Sequence, residues 1–400
     1  MISLLGIALI ALAAFALSAK RSLIDKRTVL GAFLLQAGLG GIVLYVPLGK
    51  DLLDFLAQKV IALLNYSRAG IDFLFGGVVG DNIGFVFAFN VLPVIIFFSS
   101  MIAVLYYLGV MQWIVAVIGG ALRKLIRPSH SESMAAAANI FVGQTEAPIL
   151  IRPYIKNMTT SELMAIMTGG FATVAGSVLA LYVLWLEKIP GIAGHMLAAS
   201  IMSAPASLVI AKLIYPETGK TNSLDELDLH IEKNTTNAMD ALGNGATQGL
   251  KLAANIGAML IAFISILSMI NFTLEYFLNI NLQEILGIIF SPLAWTMGIP
   301  WEEANIVGRL MGEKIVLTEL IAYGSLGELI NNNLISERSA IISSYALCGF
   351  ANFGSIGIQL GGIGAMAPEK RNILSKIVLK AMVGGALASW LTATIAGILI

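Results

Sequence analysis

Charge is scarce in this sequence: only 12% of its 400 residues are Asp, Glu, Lys or Arg, about half the share found in soluble domains. The 24 basic and 24 acidic side chains cancel, which argues against nucleic acid as a partner. A single cysteine, Cys348, excludes an internal disulfide, and the three histidines are too scattered in the sequence to suggest a metal-binding cluster. The sequence has no phosphate-binding loop, HExxH helix or nucleophile elbow, so we expect neither an ATP-driven pump nor an enzyme.

Apolar sequence is abundant instead, at 58% of the chain. Runs of roughly 17–25 mostly apolar residues are long enough to cross a bilayer as helices. The fold class that we expect is therefore an all-α polytopic membrane protein with eight transmembrane helices. The eight predicted spans are residues 2–17, 29–48, 91–110, 163–186, 192–213, 252–270, 340–363 and 378–399.

The basic residues favour this count of spans. With eight crossings, 17 Lys and Arg fall on one side of the membrane and 7 on the other. Cytoplasmic loops carry an excess of basic residues, so both termini are expected outside. Between the second and third spans, residues 51–64 have the apolar and charged alternation of an interfacial amphipathic helix. Residues 216–245 form the longest polar stretch and are predicted to be a cytoplasmic loop.

Two further segments, residues 133–154 and 301–329, each hold one central glutamate in largely apolar surroundings: Glu146 and Glu319. A carboxylate inside a bilayer costs about 2.5–3.5 kcal/mol on insertion scales, which makes both acids candidates for function. The loops next to each segment must stay on one side of the membrane. We therefore predict two re-entrant helical hairpins.

The chain also contains an internal repeat. The span after the first predicted hairpin opens with GFATVAGS at Gly170, and the span after the second opens with GFANFGS at Gly349. The span count gives the two copies opposite directions across the membrane. Inverted repeats with broken helices are typical of secondary transporters, whose binding sites form near the midplane where the repeats meet.

Two motifs, GQTEAP at residues 143–148 and CGFANFGSI at residues 348–356, make the chain resemble the concentrative nucleoside transporter family over most of its length. The resemblance implies a homotrimer in which a scaffold surrounds transport domains that move like elevators. It divides the chain into scaffold spans 1–3 with the interfacial helix (1–112), transport-domain repeat 1 (113–215), the cytoplasmic loop (216–245), scaffold span 6 (246–275) and transport-domain repeat 2 (276–400).

The resemblance also implies which residues bind. The nucleobase would contact Gln144, Thr145, Glu146 and Val178, and the ribose would contact Glu319, Asn352 and Ser355, with Phe350 packing against the nucleoside. Sodium would be held by the backbone carbonyls of Asn139, Val142, Thr173 and Val174 and by the Thr173 hydroxyl. This chemistry is reasonable, because Gln144 offers donors and acceptors to a base edge and Glu319 accepts hydrogen bonds from hydroxyls.

The chain departs from the family at two positions. It reads Thr318-Glu319-Leu320 where Asn-Glu-Phe is common, and Thr173 where serine is frequent. The first departure concerns the packing around the ribose carboxylate and hence substrate preference. The second keeps the hydroxyl.

From these observations we expect sodium-driven import of nucleosides such as uridine across a bacterial inner membrane, with both termini in the periplasm. Proton coupling is the nearest alternative, because a buried glutamate can carry a proton in place of sodium. A passive channel is a second alternative, and an intramembrane hydrolase that uses the two glutamates as acid and base is a third.

Overall fold

The computed structural model describes residues 2–79, 86–90, 92–219 and 235–400, and every regular element in these ranges is helical. Two of them are short 3₁₀ helices, Arg21–Leu23 and Pro368–Lys370. The α-helices are α1 Ile2–Ala16, α2 Lys26–Tyr45, α3 Pro47–Val79, α4 Phe87–Asn90, α5 Leu92–Tyr107, α6 Val110–Ile126, α7 His130–Ala138, α8 Glu146–Leu150, α9 Arg152–Ile155, α10 Thr160–Ala172, α11 Gly176–Trp185, α12 Ile192–Ile214, α13 Ala238–Leu278, α14 Leu282–Thr296, α15 Trp301–Val316, α16 Glu319–Asn331, α17 Glu337–Leu347, α18 Phe353–Met366 and α19 Arg371–Leu399.

Six helical segments in the described part of the chain are long and apolar enough to cross a bilayer, and a seventh is added if α14 and α15, which meet at 119°, count as one broken span. The predicted first span is α1, which has only 15 residues. The predicted seventh span is divided between α17 and α18. The number of crossings therefore stays a prediction, whereas a multi-pass helical chain is evident.

Two sequence-based boundaries differ from the structure, and one helix was not predicted. The predicted interfacial helix at residues 51–64 is part of α3, which runs for 33 residues. Helix α13 begins at Ala238, so the polar loop ends before residue 245; residues 220–234 of that loop lie outside the described ranges. Helix α6 was not predicted, because its apolar stripe is interrupted by Gln112, Arg123 and Lys124.

The same order of elements occurs twice. The first hairpin (residues 130–150) comprises α7, a tip and α8, and it precedes a helix broken at residues 173–175, between α10 and α11. The second hairpin (residues 301–331) comprises α15, a two-residue tip and α16, and it precedes a helix broken at residues 348–352, between α17 and α18. We call these interruptions the first break and the second break. Each half then closes with a long helix, α12 or α19.

Local sequence explains where these helices start. Capping boxes open α7 and α10, with Ser129 paired to Glu132 and Thr159 to Glu162. At the second break, Gly349 has φ +128°, and a Cβ atom there would lie 2.6 Å from the Phe171 carbonyl oxygen. Only glycine fits this backbone and this close approach to α10.

The helices of the molecule differ in how far they are buried. Helices α10, α12 and α19 are buried over most of their length. In contrast, α13 exposes large apolar side chains along its length, including Ile261, Phe272 and Tyr276. Apolar surface on this scale needs a lipid or protein partner.

Candidate functional site

A cavity of about 440 Å³ lies where the two hairpins, the two breaks and α13 meet. This volume is in the range of small-molecule sites. All eight residues predicted to bind the nucleoside line it: Gln144, Thr145, Glu146, Val178, Glu319, Phe350, Asn352 and Ser355. The structure therefore brings the candidates from both repeats to a single space.

Glu319 is the buried acid of this cavity, at 5% exposure. Its Oε1 accepts a hydrogen bond from the Tyr182 hydroxyl at 3.1 Å, and its Oε2 accepts one from Asn352 Nδ2 at 2.8 Å. It lies in the first turn of α16, whose N-cap is Thr318; the Thr318 hydroxyl accepts from the Ile321 amide at 3.3 Å. Asparagine and threonine both cap helices, so the departure at position 318 preserves the start of the helix that carries Glu319.

Hydrogen bonds connect the two repeats across the cavity. Gln144 Nε2 donates to Ser355 Oγ at 3.0 Å, and the Ser355 amide donates to Asn352 Oδ1 at 2.8 Å. Gln359 Nε2 donates both to Gln144 Oε1 at 3.2 Å and to the Met167 carbonyl at 3.1 Å. The side chain expected at the nucleobase is thus joined to the side chains expected at the ribose.

Glu146 differs from the expectation of a buried carboxylate. It lines the cavity, but its side chain is exposed, and its Oε2 lies over Gly143, 2.5 Å from where a Cβ atom would be. It sits in the first turn of α8, where the helix dipole favours a negative charge. Within the described residues, neither Glu146 nor Glu319 has a Lys, Arg or His nitrogen within 4.0 Å, so neither is held in a structural ion pair.

Apolar side chains form the rest of the wall. Val178 is buried in the first turn of α11, and Phe350 is partly buried in the second break. Leu320 and the α13 residues Ile256 and Phe263 complete this surface. Flat apolar surfaces beside a few polar groups suit a planar ring that carries hydrogen-bonding edges.

The four predicted sodium ligands lie outside the cavity, at the tip of the first hairpin and at the first break. Asn139 caps the end of α7, Val142 is in the tip, and Thr173 and Val174 are in the break. All four are buried. Both polar atoms of the Asn139 side chain lack a hydrogen-bond partner among the described residues, although the side chain is only 1% exposed. A cation could coordinate the orphaned amide oxygen beside this helix break, whereas the Nδ2 donor needs an acceptor instead.

Backbone contacts bring this region together. The Gly176 amide donates to the Phe141 carbonyl at 3.0 Å, which ties the first break to the first hairpin's tip. The Thr173 carbonyl accepts from the Phe350 amide at 3.3 Å, which ties the first break to the second. The Thr173 hydroxyl donates to the Gly169 carbonyl at 2.9 Å, and this leaves its lone pairs available to a cation.

Three polar residues of the site were missed by the sequence analysis: Tyr182, Gln359 and Asn255. Tyr182 and Gln359 are fully buried and belong to the network described above. Asn255 lines the cavity from α13. The signal that was available is the same for all three, a polar side chain inside an apolar predicted span. In the described ranges no group of three or more His, Cys, Asp or Glu is arranged to hold a metal ion.

A multi-pass helical protein with a polar cavity between two broken-helix units has the architecture of a membrane transporter. Three family models cover most of the chain: "Na+ dependent nucleoside transporter N-terminus" over residues 5–78, "Nucleoside recognition" over 88–188 and "Na+ dependent nucleoside transporter C-terminus" over 195–397. The chain belongs to the sodium-dependent, concentrative nucleoside transporter family.

Individual relatives agree with this assignment. The nucleoside permease NupC of Helicobacter pylori is 43% identical, over 100% of this chain and 97% of its own length. Among solved structures, the transporter CNTnw in an inward-facing, substrate-bound state is 46% identical with a TM-score of 0.95, covering 100% of this chain and 98% of its own. A CNTnw variant in an outward-facing state is 45% identical with a TM-score of 0.93, covering 100% and 97%.

Proposed function

We propose that this chain imports nucleosides across a bacterial inner membrane by sodium symport, with uridine as a representative substrate. The observation that supports the proposal is the shared cavity: the first repeat contributes an amide, a hydroxyl and a carboxylate that would suit a base edge, and the second contributes a carboxylate, an amide and a hydroxyl that would suit ribose hydroxyls. A nucleoside has these two kinds of group at its two ends.

The second repeat is suited to the ribose. A carboxylate has about four acceptor positions, and Tyr182 and Asn352 use one on each oxygen of Glu319. The remaining positions are free to accept bonds from the ribose hydroxyls, while Tyr182 and Asn352 keep the carboxylate in place. Ser355 supplies a further hydroxyl.

The first repeat is suited to the nucleobase. Gln144 can exchange its bonds to Ser355 and Gln359 for bonds to the base, because its amide carries both a donor and an acceptor. Thr145 and Glu146 add a hydroxyl and a carboxylate beside it. Val178 and Phe350 would cover the faces of the ring.

Sodium would bind at the first hairpin's tip and first break, held by oxygens of Asn139, Val142, Thr173 and Val174, with the orphaned Asn139 amide as the supporting observation. The ion would fix the tip relative to the break, and the tip carries Gln144 and Glu146. Nucleoside affinity would therefore rise with sodium, and by linkage sodium affinity would rise equally with nucleoside.

Alternating access would come from an elevator-like movement of the buried units, residues 113–215 and 276–400, against a scaffold of residues 1–112 and 246–275 in a homotrimer. Two observations support this. Helix α13 exposes an apolar surface suited to a partner or lipid, and CNTnw, which shares this fold, has been solved in inward- and outward-facing states. The membrane topology would have eight spans, two re-entrant hairpins and both termini in the periplasm.

The test is uptake of radiolabelled uridine into proteoliposomes, with an inward sodium gradient or with choline in its place, at fixed pH and voltage. A membrane potential contributes about 2.3 kcal/mol per charge per 100 mV. One sodium ion per uridine would thus support roughly fiftyfold accumulation at that voltage. If uridine accumulates equally in choline when a proton gradient is present, the coupling ion is the proton rather than sodium. Equilibration without accumulation under any gradient would indicate a passive channel and contradict the proposal.

A further inference from the structure

Lys314 is a fully buried cation that the proposed transport cycle does not use. It lies in the last turn of α15, just before the second hairpin's tip, at 0% exposure. Among the described residues no carboxylate comes within 4.0 Å of its Nζ. Burying a charge without a close counter-ion is costly unless several hydrogen bonds compensate it.

The partners of Lys314 are neutral oxygens. Its Nζ donates to the Ser389 hydroxyl at 2.7 Å and to the Ala346 carbonyl at 2.9 Å, and the Cys348 carbonyl lies 3.5 Å away. Ser389 directs its own proton to the carbonyls of Gly385 and Ala386, so it acts as an acceptor toward Lys314. Two carbonyls at the end of a broken helix and one hydroxyl form a set of ligands for a hard monovalent cation.

The same parts occur in the first repeat. There Asn139 lies at the end of the hairpin's first helix, and its amide nitrogen is 2.8 Å from a Cβ built on Gly169, with the Ser207 hydroxyl at 3.6 Å from that point. Gly169 precedes the GFA sequence at residue 170, just as Cys348 precedes the GFA sequence at residue 349. Ser207 is on α12 and Ser389 is on α19, the helices that close the two halves.

The corresponding positions thus hold an uncharged amide with unsatisfied atoms in the first repeat and a fully bonded ammonium in the second. We propose that Lys314 is a tethered cation. Its ammonium occupies a second cation site, formed by the carbonyls of Ala346 and Cys348 and the hydroxyl of Ser389, and this site accepts a free sodium ion when the lysine is shortened.

The tethered charge has a consequence for transport. Glu319 follows Lys314 on the same hairpin, so opposite charges on the two side chains attract each other. While it is protonated, the Lys314 ammonium stabilises the second hairpin without drawing an ion from solution, so each nucleoside moves with one sodium rather than two. This inference rests on the proposed sodium coupling.

The test variant is Lys314→Asn, which copies the residue of the first repeat and leaves room for an ion. In detergent, we expect its thermal unfolding midpoint to fall in choline chloride and to recover in sodium chloride of equal ionic strength. In proteoliposomes, the ratio of ²²Na⁺ to uridine should rise from about one to about two, with a steeper dependence of uptake on sodium.

Two controls separate an ion site from a general loss of stability. Lys314→Met fills the space with an apolar side chain. The thermal unfolding midpoint of this variant should fall in choline chloride and should not recover in sodium chloride. Lys314→Asn combined with Ser389→Ala removes an oxygen of the site and should also lose the recovery.

A Lys314→Asn protein with an unchanged sodium-to-uridine ratio and no selective stabilisation by sodium would overturn the inference, and so would failure to fold at every sodium concentration. If the wild-type protein itself shows no sodium dependence, the proposed coupling ion is wrong. The stabilisation of Lys314→Asn by sodium over choline then still decides whether the second cation site exists.

Discussion

The acidic residues of the two hairpins differ in their surroundings, although both face the same cavity. Glu319 is buried and fixed by Tyr182 and Asn352, whereas Glu146 is exposed and lies over Gly143 at the start of a five-residue helix. Removing an acceptor that is held in place and shielded from water reduces binding free energy more than removing an acceptor that water surrounds. The second repeat therefore provides a rigid half of the site, and the first repeat provides an adjustable half.

The two repeats also differ at the place where each could hold a cation. In the first repeat the Asn139 amide has no partner among the described residues, so it is open to a ligand from solution. In the second repeat Lys314 already satisfies the helix end. If sodium binds where we propose, the adjustable half of the site would be the half whose order responds to sodium, as coupling of two solutes requires.

The largest effect is expected from Glu319→Gln. The amide replaces one of the two acceptor oxygens with a donor, so the bonds to Asn352 and to the ribose cannot all be kept. Bonds to a charged group contribute about 1.5–3 kcal/mol each, which predicts a loss of uridine uptake of about 100-fold. The matched control is Glu328→Gln, an exposed residue on the same helix that does not line the cavity, and its uptake should be normal. Comparable uptake by the two variants would contradict the ribose assignment.

A smaller effect, on stability as well as uptake, is expected from Gly349→Ala. The added methyl group would be strained by the positive φ and by the close Phe171 carbonyl, and together these should lower the free energy of unfolding by roughly 2–4 kcal/mol. The thermal unfolding midpoint in detergent should fall. Gly357 lies on α18, and no atom of the described residues comes within 4 Å of a Cβ added there, so Gly357→Ala should retain or slightly raise the midpoint. If the two alanine variants unfold at the same temperature, the close packing of the second break against α10 is wrong.

Asn139→Ala tests the part of the first repeat that should respond to sodium. Loss of the side-chain amide oxygen, with the backbone carbonyl retained, should raise the sodium concentration for half-maximal uptake about tenfold, while uptake at saturating sodium changes little. Asn157→Ala, at an exposed position between α9 and α10, is the control. An unchanged sodium dependence in Asn139→Ala would exclude the Asn139 side chain from the ion site.

Glu146→Gln should have the smallest effect, roughly three- to tenfold on the uridine KM, because its carboxylate is solvated in the cavity. Direct binding to the purified protein, compared with Glu319→Gln, measures the difference between the two acids. A loss as large as that of Glu319→Gln would mean that the first repeat is as rigid as the second.

Much of the site could be predicted from the sequence because motifs specify it locally. GQTEAP and GFANFGS supply Gln144, Glu146, Asn352 and Ser355, and all four reach one cavity. The exposure of Glu146 could not be predicted, because it depends on where the folded chain places the short helix α8 at the cavity rather than on the residue's neighbours in sequence.

The helices were predicted less completely than the site. Spans with continuous apolar sequence, such as α12, agree with the predicted span to within about a residue. Helices with mixed sequence did not follow the hydropathy pattern: α3 continues far beyond residue 64, and α13 starts well before residue 252. Polar and charged residues remain good helix formers, so hydropathy locates apolar segments but not helix ends.

The division of labour between the repeats is tested most directly by pairing variants with substrate analogues. The measurement is the ratio of the binding constants for uridine and 2′,3′-dideoxyuridine, which lacks both ribose hydroxyls, in the wild type, Glu319→Gln and Gln144→Ala. The account predicts that the wild type strongly prefers uridine, that Glu319→Gln loses most of this preference, and that Gln144→Ala keeps it while binding both ligands more weakly. If Gln144→Ala abolishes the preference and Glu319→Gln keeps it, the ends of the nucleoside are assigned to the wrong repeats.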